Sequence, residues 1–409
     1  MRAALGLSLL AAALLVAGPA LARKPRGKAK VVRTPLARAC EDVKLVEHGL
    51  DLLAAPLATE GTRPRALPAR NYSELAFVAD EWLALREVGA PSEIMVINVD
   101  GGEPLPLSPP GLFCGGLERT GFEDGVRFHC RKQDADPEQR RFFVARPPEW
   151  KAVPDDGLDW SYTLRERDAA QLGGLGHASH DVFRMASGHR VGVPRRGFGV
   201  STLPHPFLAW KPGSPRLLAP PADLEAQHYP AAFREAPRVA ASLKGGGSGA
   251  GAALLVLDLE KGQTLCASRP QGQPITAYLG ASRDRALFLR GQLPIWRPLE
   301  VHLADLSTGT DHHLGSVPVN TNALIRALPD DRFLLILLPE DPPRTFRAHF
   351  LLVDGRSLEV KKLSEPVGDI LHNLYGVEVS PGGGWLRFND GRSHPWILPI
   401  PRRPSVPAP

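Results

Sequence analysis

This sequence lacks most of what long helices or a familiar catalytic centre would require. Aromatic residues make up only 7% of its 409 positions. Helical periodicity is scarce, and most apolar runs are four to seven residues long, bounded by Gly, Pro, Asp or Asn. Beyond residue 22 no stretch approaches the roughly 20 apolar residues of a spanning helix. There is no H-E-x-x-H and no C-x-x-C, so the common zinc and thiol-redox patterns are missing. There is no G-x-S-x-G elbow either. The nearest segment, Gly245-Gly-Gly-Ser-Gly-Ala-Gly251, lacks the final Gly in frame. It also lacks the Lys of a phosphate-binding loop, and it reads as a flexible loop. No catalytic residue, cofactor or metal is assigned on these grounds.

What the chain does have begins at its start. Arg2 precedes an uncharged run, Ala3 to Ala22, with an apolar centre from Leu5 to Ala17. Ala20-Leu21-Ala22 then supplies small residues for a signal peptidase, so residues 1–22 are expected to be a cleaved secretory signal. The mature protein is expected in the periplasm or outside the cell. The competing reading is an uncleaved membrane anchor through residues 3–22. Residues 23–38 favour it, because they carry seven Lys/Arg and no acid directly behind the apolar run. Lipid attachment at Cys40 is not expected.

The formal net charge is +5. Setting aside Arg2, the seven charges of the arm, and Arg402 and Arg403 in the proline-rich tail leaves −5 on the rest. A mildly acidic core is a poor match for a phosphate backbone, so nucleic acid is not an expected partner. The basic arm, 23–38, is expected to be disordered, with contact to a membrane surface as its functional reading. Residues 402–409 are expected to be a disordered tail.

Proline and glycine together number 81, which points to many short strands. A turn followed by a short apolar strand recurs. Clear copies are Val379-Ser-Pro-Gly-Gly-Gly-Trp-Leu-Arg-Phe388, Leu328-Pro-Asp-Asp-Arg-Phe-Leu-Leu-Ile-Leu337, Ala281-Ser-Arg-Asp-Arg-Ala-Leu-Phe-Leu289 and Val78-Ala-Asp-Glu-Trp-Leu-Ala-Leu85. With weaker copies, equivalent strand positions fall near 83, 127, 191, 239, 287, 334 and 386. The one long gap holds the polar stretch Asp155–Gly174, read as an insertion. A second pattern, an apolar strand ending in an Asp or Gly turn, places Asp258, Asp305 and Asp354 at matching spacings. One unit is therefore about 47 residues and about four strands. Seven such units close into an all-β, seven-bladed β-propeller over residues 39–401. The segment Val43–Leu53 is expected to complete the last blade and close the ring.

The Ser-Pro-Gly-Gly-Gly-Trp-Leu-Arg-Phe and Pro-Asp-Asp-Arg-Phe-Leu-Leu segments resemble the S-P-D-G-x-x-L-x-F repeat of TolB-type, WD-repeat-like periplasmic propellers. The resemblance covers most of 71–400, although the early units lack the Ser-Pro-Asp core. It implies an envelope scaffold, or the propeller half of a peptidase. The motif shapes a turn and carries no chemistry of its own.

Four cysteines remain to be placed. A hairpin pairing Cys114 with Cys130 centres on residue 122, inside the turn Thr120–Gly125, so these two are expected to form a disulfide. Cys40 belongs near the closing strand of unit seven and Cys266 to the last strand of unit four. Across a ring they would lie far beyond the ~7 Å limit between Cα atoms, so both are expected to be unpaired core residues.

Two histidine groups could be asked to bind metal. In His177-Ala-Ser-His-Asp181, a strand would put His177 and Asp181 on one face and His180 on the other. Asp311-His312-His313 is weaker still. Both are read as polar strand or loop. Trp82, Trp296, Trp385 and Trp396 are read as blade packing. The expected function is a non-catalytic binding or scaffold module of the bacterial cell envelope. It would hold a protein, peptide or envelope polymer at a propeller rim. The alternative is a secreted propeller enzyme, glycoside hydrolase or lyase in type, with carboxylates in its central channel.

Overall fold

The computed structural model describes residues 40–58, 63–67, 72–87, 93–119, 124–132, 134–136, 139–155, 180–185, 187–194, 207–211, 217–218, 224–226, 230–245, 252–271, 273–291, 298–341, 345–368, 377–390 and 394–403. Among the described residues the strands fall into seven antiparallel sheets taken in chain order, one of them with an added parallel strand. One 3-10 turn, Leu52–Ala54, stands among these strands. The seven positions expected from the repeat all lie in the second strand of a sheet. Those strands are Trp82–Glu87, Val126–Arg131, Arg190–Pro194, Arg238–Gly245, Arg285–Arg290, Arg332–Asp341 and Trp385–Asn389.

The fourth and sixth sheets are covered on both faces, and their central strands are correspondingly apolar. In Ala253–Asp258, Leu255 and Leu257 pack against the third sheet, and Leu254 and Val256 against the fifth. In the sixth sheet, Phe333, Leu335 and Leu337 face the fifth, and Leu334, Ile336 and Leu338 face the seventh. Period-two alternation thus sends successive side chains into two different cores. Each fully buried Leu contributes about 1.5–3 kcal/mol. A further cluster joins Phe77, Leu83 and Leu85 of the first sheet to Leu67 and Ile397 of the seventh. The first and seventh sheets therefore meet, and the molecule is a β-propeller.

The ring closes through an N-terminal strand, but not the expected one. Arg65–Ala66 pairs antiparallel with Trp396 and Ile397 and completes the seventh sheet. Lys44–Leu50, from the segment expected there, instead runs parallel to Thr310–Val317 as a fifth, outer strand of the fifth sheet. Residues 40–58 and 63–66 form a strap across the outside of four consecutive sheets. Cys40 is bonded to Cys266 of the fourth sheet. Asp51 then caps the 3-10 turn, accepting from the Leu53 and Ala54 N–H groups. This sends Leu52, 1% exposed, into the core between the fifth and sixth sheets. Pro56 and Ala58 exchange backbone hydrogen bonds with Lys362 of the sixth sheet. Arg65–Ala66 ends the strap on the seventh.

That path corrects the expectation for Cys40. Assignment of Val43–Leu53 to the last sheet would put Cys40 across the ring from Cys266. With the strap starting on the fourth sheet, the two Cα atoms are 5.1 Å apart and bonded. Cys114 and Cys130 are bonded as expected, directly opposite each other in the first hairpin of the second sheet. The described chain also runs on to Arg403. Arg402 pairs with Asp80 and Arg403 with Asp354, so ordered contacts extend into the tail drawn from composition.

Candidate functional site

One face of the ring carries the turns after each inner strand and the turns between third and fourth strands. It is held by a repeated charged clamp. Asp258 and Asp305 sit in two of the latter turns, and each uses one carboxylate oxygen to accept from N–H groups two or three residues on. The other oxygen pairs with an arginine of the same sheet, Arg238 at 3.3 Å and Arg285 at 2.8 Å. Each arginine also reaches the next sheet: Arg238 to Asp284 at 2.6 Å, Arg285 to Asp331 at 3.2 Å. Burial works against the Arg238 guanidinium, but Asp284 and Asp258 raise its pKa above the ordinary value. Burial would also raise Asp305, yet Ser307 and Arg285 hold it below the usual carboxylate range. These groups are kept ionised to join sheets. At the closure, Asp80 of the first sheet accepts from Ser380 Oγ and from the Gly382 N–H at 3.0 Å.

The inner strands carry a second set of carboxylates. Glu74 pairs with Arg86 opposite it at 2.7 Å, and its other oxygen accepts from the Leu117 N–H of the second sheet at 2.8 Å. Glu378 repeats the arrangement. It pairs with Arg387 opposite it at 3.1 Å and accepts from the Phe77 N–H of the first sheet at 3.1 Å. Desolvation alone would raise the Glu74 pKa, but the Leu117 N–H and Arg86 outweigh it, and the pKa is lowered. Both carboxylates staple one sheet to the next.

Two arginines stand near the axis. Arg234, in the turn before Arg238–Gly245, donates to the Ala327 carbonyl of the sixth sheet at 3.2 Å and to the Pro381 carbonyl of the seventh. A side chain from the turn before Arg238–Gly245 thus ties the fourth sheet to the sixth and seventh. Arg326, on the sixth inner strand, Thr321–Leu328, reaches the Val377 carbonyl at 3.4 Å.

The densest polar cluster lies where the strap meets the fourth and fifth sheets. Arg290 donates to Ser268 Oγ at 2.6 Å and to the Ala252, Gln273 and Arg269 carbonyls. Ser268 Oγ donates to Asp311, and His302 Nδ1 lies 2.9 Å from the other Asp311 oxygen. Burial pushes the Arg290 pKa down to about 10 against the pull of Asp311 and Glu300. The carboxylate stands between hydroxyl and imidazole, so His302 cannot serve Ser268 as a base. Both residues are also buried. The cluster is a lock between sheets.

The residues singled out from sequence scatter accordingly. Asp311 and His313 share one face of their strand, with His313 stacked on His302 at 4.9 Å and bonded to Glu47 of the strap. His312 faces the other way and meets His48 at 3.0 Å. His177 lies outside the described residues, as do the side chains of His180 and Asp181. Among the described residues, no group of three or more His, Cys, Asp or Glu is placed to hold a metal ion. Trp82 contacts Trp150 at 5.4 Å between the first and second sheets. Trp385 and Trp396 also pack against apolar clusters, and Trp296 lies outside the described residues. Sequence reading missed the clamp, although its 47-residue step from Arg238 and Asp258 to Arg285 and Asp305 was visible.

No family model matches the chain, and no curated protein matches its sequence. Solved structures of similar shape exist at low identity. An oligogalacturonate lyase from Vibrio parahaemolyticus is 9% identical, with 85% of this chain and 96% of that one covered and a TM-score of 0.45. The WD40 domain of SCAP from fission yeast is 9% identical, with 83% and 98% covered and a TM-score of 0.42. A prolyl endopeptidase is 10% identical at a TM-score of 0.43; 82% of this chain is covered, but the chain spans only about half, 51%, of that enzyme. The propeller assignment rests on the chain's own seven sheets and their closure.

Proposed function

We propose that this chain is an exported β-propeller of TolB-like, WD-repeat-like kind. It binds a protein, peptide or envelope polymer at one mouth of its channel and performs no chemistry on it. The observation that carries the reading is the state of two inner-strand carboxylates. Glu74 and Glu378 are each committed to an arginine and to a backbone N–H of the next sheet. A general acid must hold a proton near neutral pH, and these surroundings favour the ionised form of Glu74. Export is supported by the apolar run of residues 3–22 and by two disulfides, which persist in oxidising compartments. Among the described residues no helix is long and apolar enough to cross a membrane. The basic arm, 23–38, adds contact with an anionic surface.

The alternative is a propeller enzyme of lyase or glycoside hydrolase type. The similar structures lean that way by name, but likeness this distant concerns shape alone. One experiment separates the two readings. The mature chain, residues 23–409, is incubated with envelope extract and in parallel with acidic and neutral polysaccharides. The binding reading expects one envelope component retained through washing and no new reducing ends. Polysaccharide cleavage that falls at least 100-fold in Glu74→Gln or Glu378→Gln would overturn it.

A further inference from the structure

His48 and His312 differ from the histidines around them. His302 lies against Asp311 and Glu300, and His313 against Glu47. His394, in the last hairpin of the seventh sheet, lies 3.5 Å from Asp390. Among the described residues His48 and His312 have no carboxylate in ion-pair range, and each ring meets the other instead. His48 Nε2 is 3.0 Å from His312 Nδ1, with the ring centroids 5.2 Å apart and the planes tilted by 43°. The pair joins the strap strand to the outer strand of the fifth sheet. His48 is exposed and His312 half-buried, so solvent reaches the contact.

Both supporting segments are held. Asp311 is bound to Ser268 and His302, and His313 to Glu47, which fixes the strand on either side of His312. On the strap, Cys40 is tied to Cys266 before His48, and Asp51 caps the 3-10 turn after it. Burial and His48 lower the His312 pKa, so the ring is neutral at pH 7, the form that binds metal. Asp305 and Asp311 favour positive charge at this ring, and Arg285 opposes it. Imidazole nitrogens hold first-row divalent ions at about 2.0–2.1 Å. Two nitrogens 3.0 Å apart share such an ion only if it sits to one side of the line between them, where they subtend about 90°. That is the cis angle of a tetragonal or octahedral ion, which suits Cu2+ and Ni2+ better than tetrahedral Zn2+. We propose that His48 and His312 form a chelating site for divalent copper or nickel that clasps the strap to the fifth sheet. The exposed His48 ring turns to aim its lone pair at the ion. The hydrogen between the two nitrogens moves to the far nitrogen of its own ring, so both neutral imidazoles ligate without net loss of a proton. Water completes the coordination shell on the open side.

The test uses the mature chain, treated with EDTA and desalted, and titrates CuSO4, NiCl2, ZnCl2 and MgCl2 by calorimetry at pH 7. Affinity should fall from Cu2+ through Ni2+ to Zn2+, with no heat from Mg2+. Electron paramagnetic resonance of the first bound Cu2+ should show coupling to two imidazole nitrogens. His48→Gln keeps a hydrogen-bonding side chain and supplies no imidazole, so its Kd for Cu2+ should rise at least about tenfold. His312→Gln should do the same, and if it fails to fold, the exposed His48 carries the comparison. His394→Gln, altered on another sheet, should bind as wild type does. Saturating Ni2+ should slow proteolysis of the strap in wild type and leave His48→Gln unchanged. Wild-type protein that binds Cu2+ no better than His48→Gln overturns the proposal. So does an equal loss of binding in His394→Gln, which would mean scattered surface histidines rather than a site.

Discussion

The two disulfides belong to regions built in opposite ways. Cys114 and Cys130 close 16 residues of a single hairpin, and the register that joins them is local. Pairs 113 with 131, 114 with 130 and 115 with 129 share one centre, so sequence arithmetic alone finds the bond. Cys40 and Cys266 are 226 residues apart, and the bond exists only because the strap reaches the fourth sheet. The strap strand Lys44–Leu50 pairs parallel to Thr310–Val317, a contact no hairpin rule generates. With Val43–Leu53 on the last sheet the two cysteines would be far apart; on the strap they are bonded. Local pairing can be read from spacing, whereas the route of a strap depends on the finished ring.

The comparison can be broken by removing each bond. In the chain-entropy account, opening the strap disulfide with Cys40→Ser and Cys266→Ser should cost about 5 kcal/mol of unfolding free energy, the largest effect expected here. Opening the hairpin with Cys114→Ser and Cys130→Ser should cost about 3 kcal/mol. Denaturant titration of both double variants checks the order. Equal losses would mean that the strap is held by other contacts. Next, Leu52→Ala tests the strap's apolar anchor. A fully buried Leu truncated to Ala should cost about 3 kcal/mol, and limited proteolysis should cut the strap before the sheets. Arg285→Ala, by contrast, touches the ring and not the strap. It leaves buried Asp305 and Asp331 without their shared cation, so a loss of about 3 kcal/mol is expected with the strap still protected.

The smallest effect expected is that of pH. His129, His189 and His312 all have pKa values below the ordinary 6.5, burial being the first cause in each. Between their folded values and 6.5 the unfolded chain binds more protons than the folded one. Their contribution is therefore complete above about pH 6.5 and declines as the pH falls below it. His312 faces His48 of the strap, so His312→Asn should remove the part of this decline seen in strap protection. Hydrogen exchange at pH 7 and pH 5.5 would show whether it does.

Much of the fold was legible. The seven second strands were found because their apolar runs and preceding turns repeat near 47 residues, a period set by the size of a four-stranded sheet. The hairpins ending at Asp258, Asp305 and Asp354 were found for the same reason. The candidate site was far less legible. Glu74 meets Leu117 and Glu378 meets Phe77 only across a seam between sheets, and no local pattern marks either Glu as a staple. Arg234 reaches Ala327 and Pro381 on other sheets, contacts that exist only after closure. Asp311-His312-His313 looked like a weak metal motif. Strand alternation divides it between two faces, and its aspartate serves a buried lock with Ser268 and His302.

The most direct test of the strap is disulfide mapping of the oxidised mature protein. Non-reducing proteolysis followed by mass spectrometry should yield one linked peptide pair containing Cys40 and Cys266 and another containing Cys114 and Cys130. Free thiols at Cys40 and Cys266, or Cys40 joined to Cys114 or Cys130, would contradict a strap that begins on the fourth sheet.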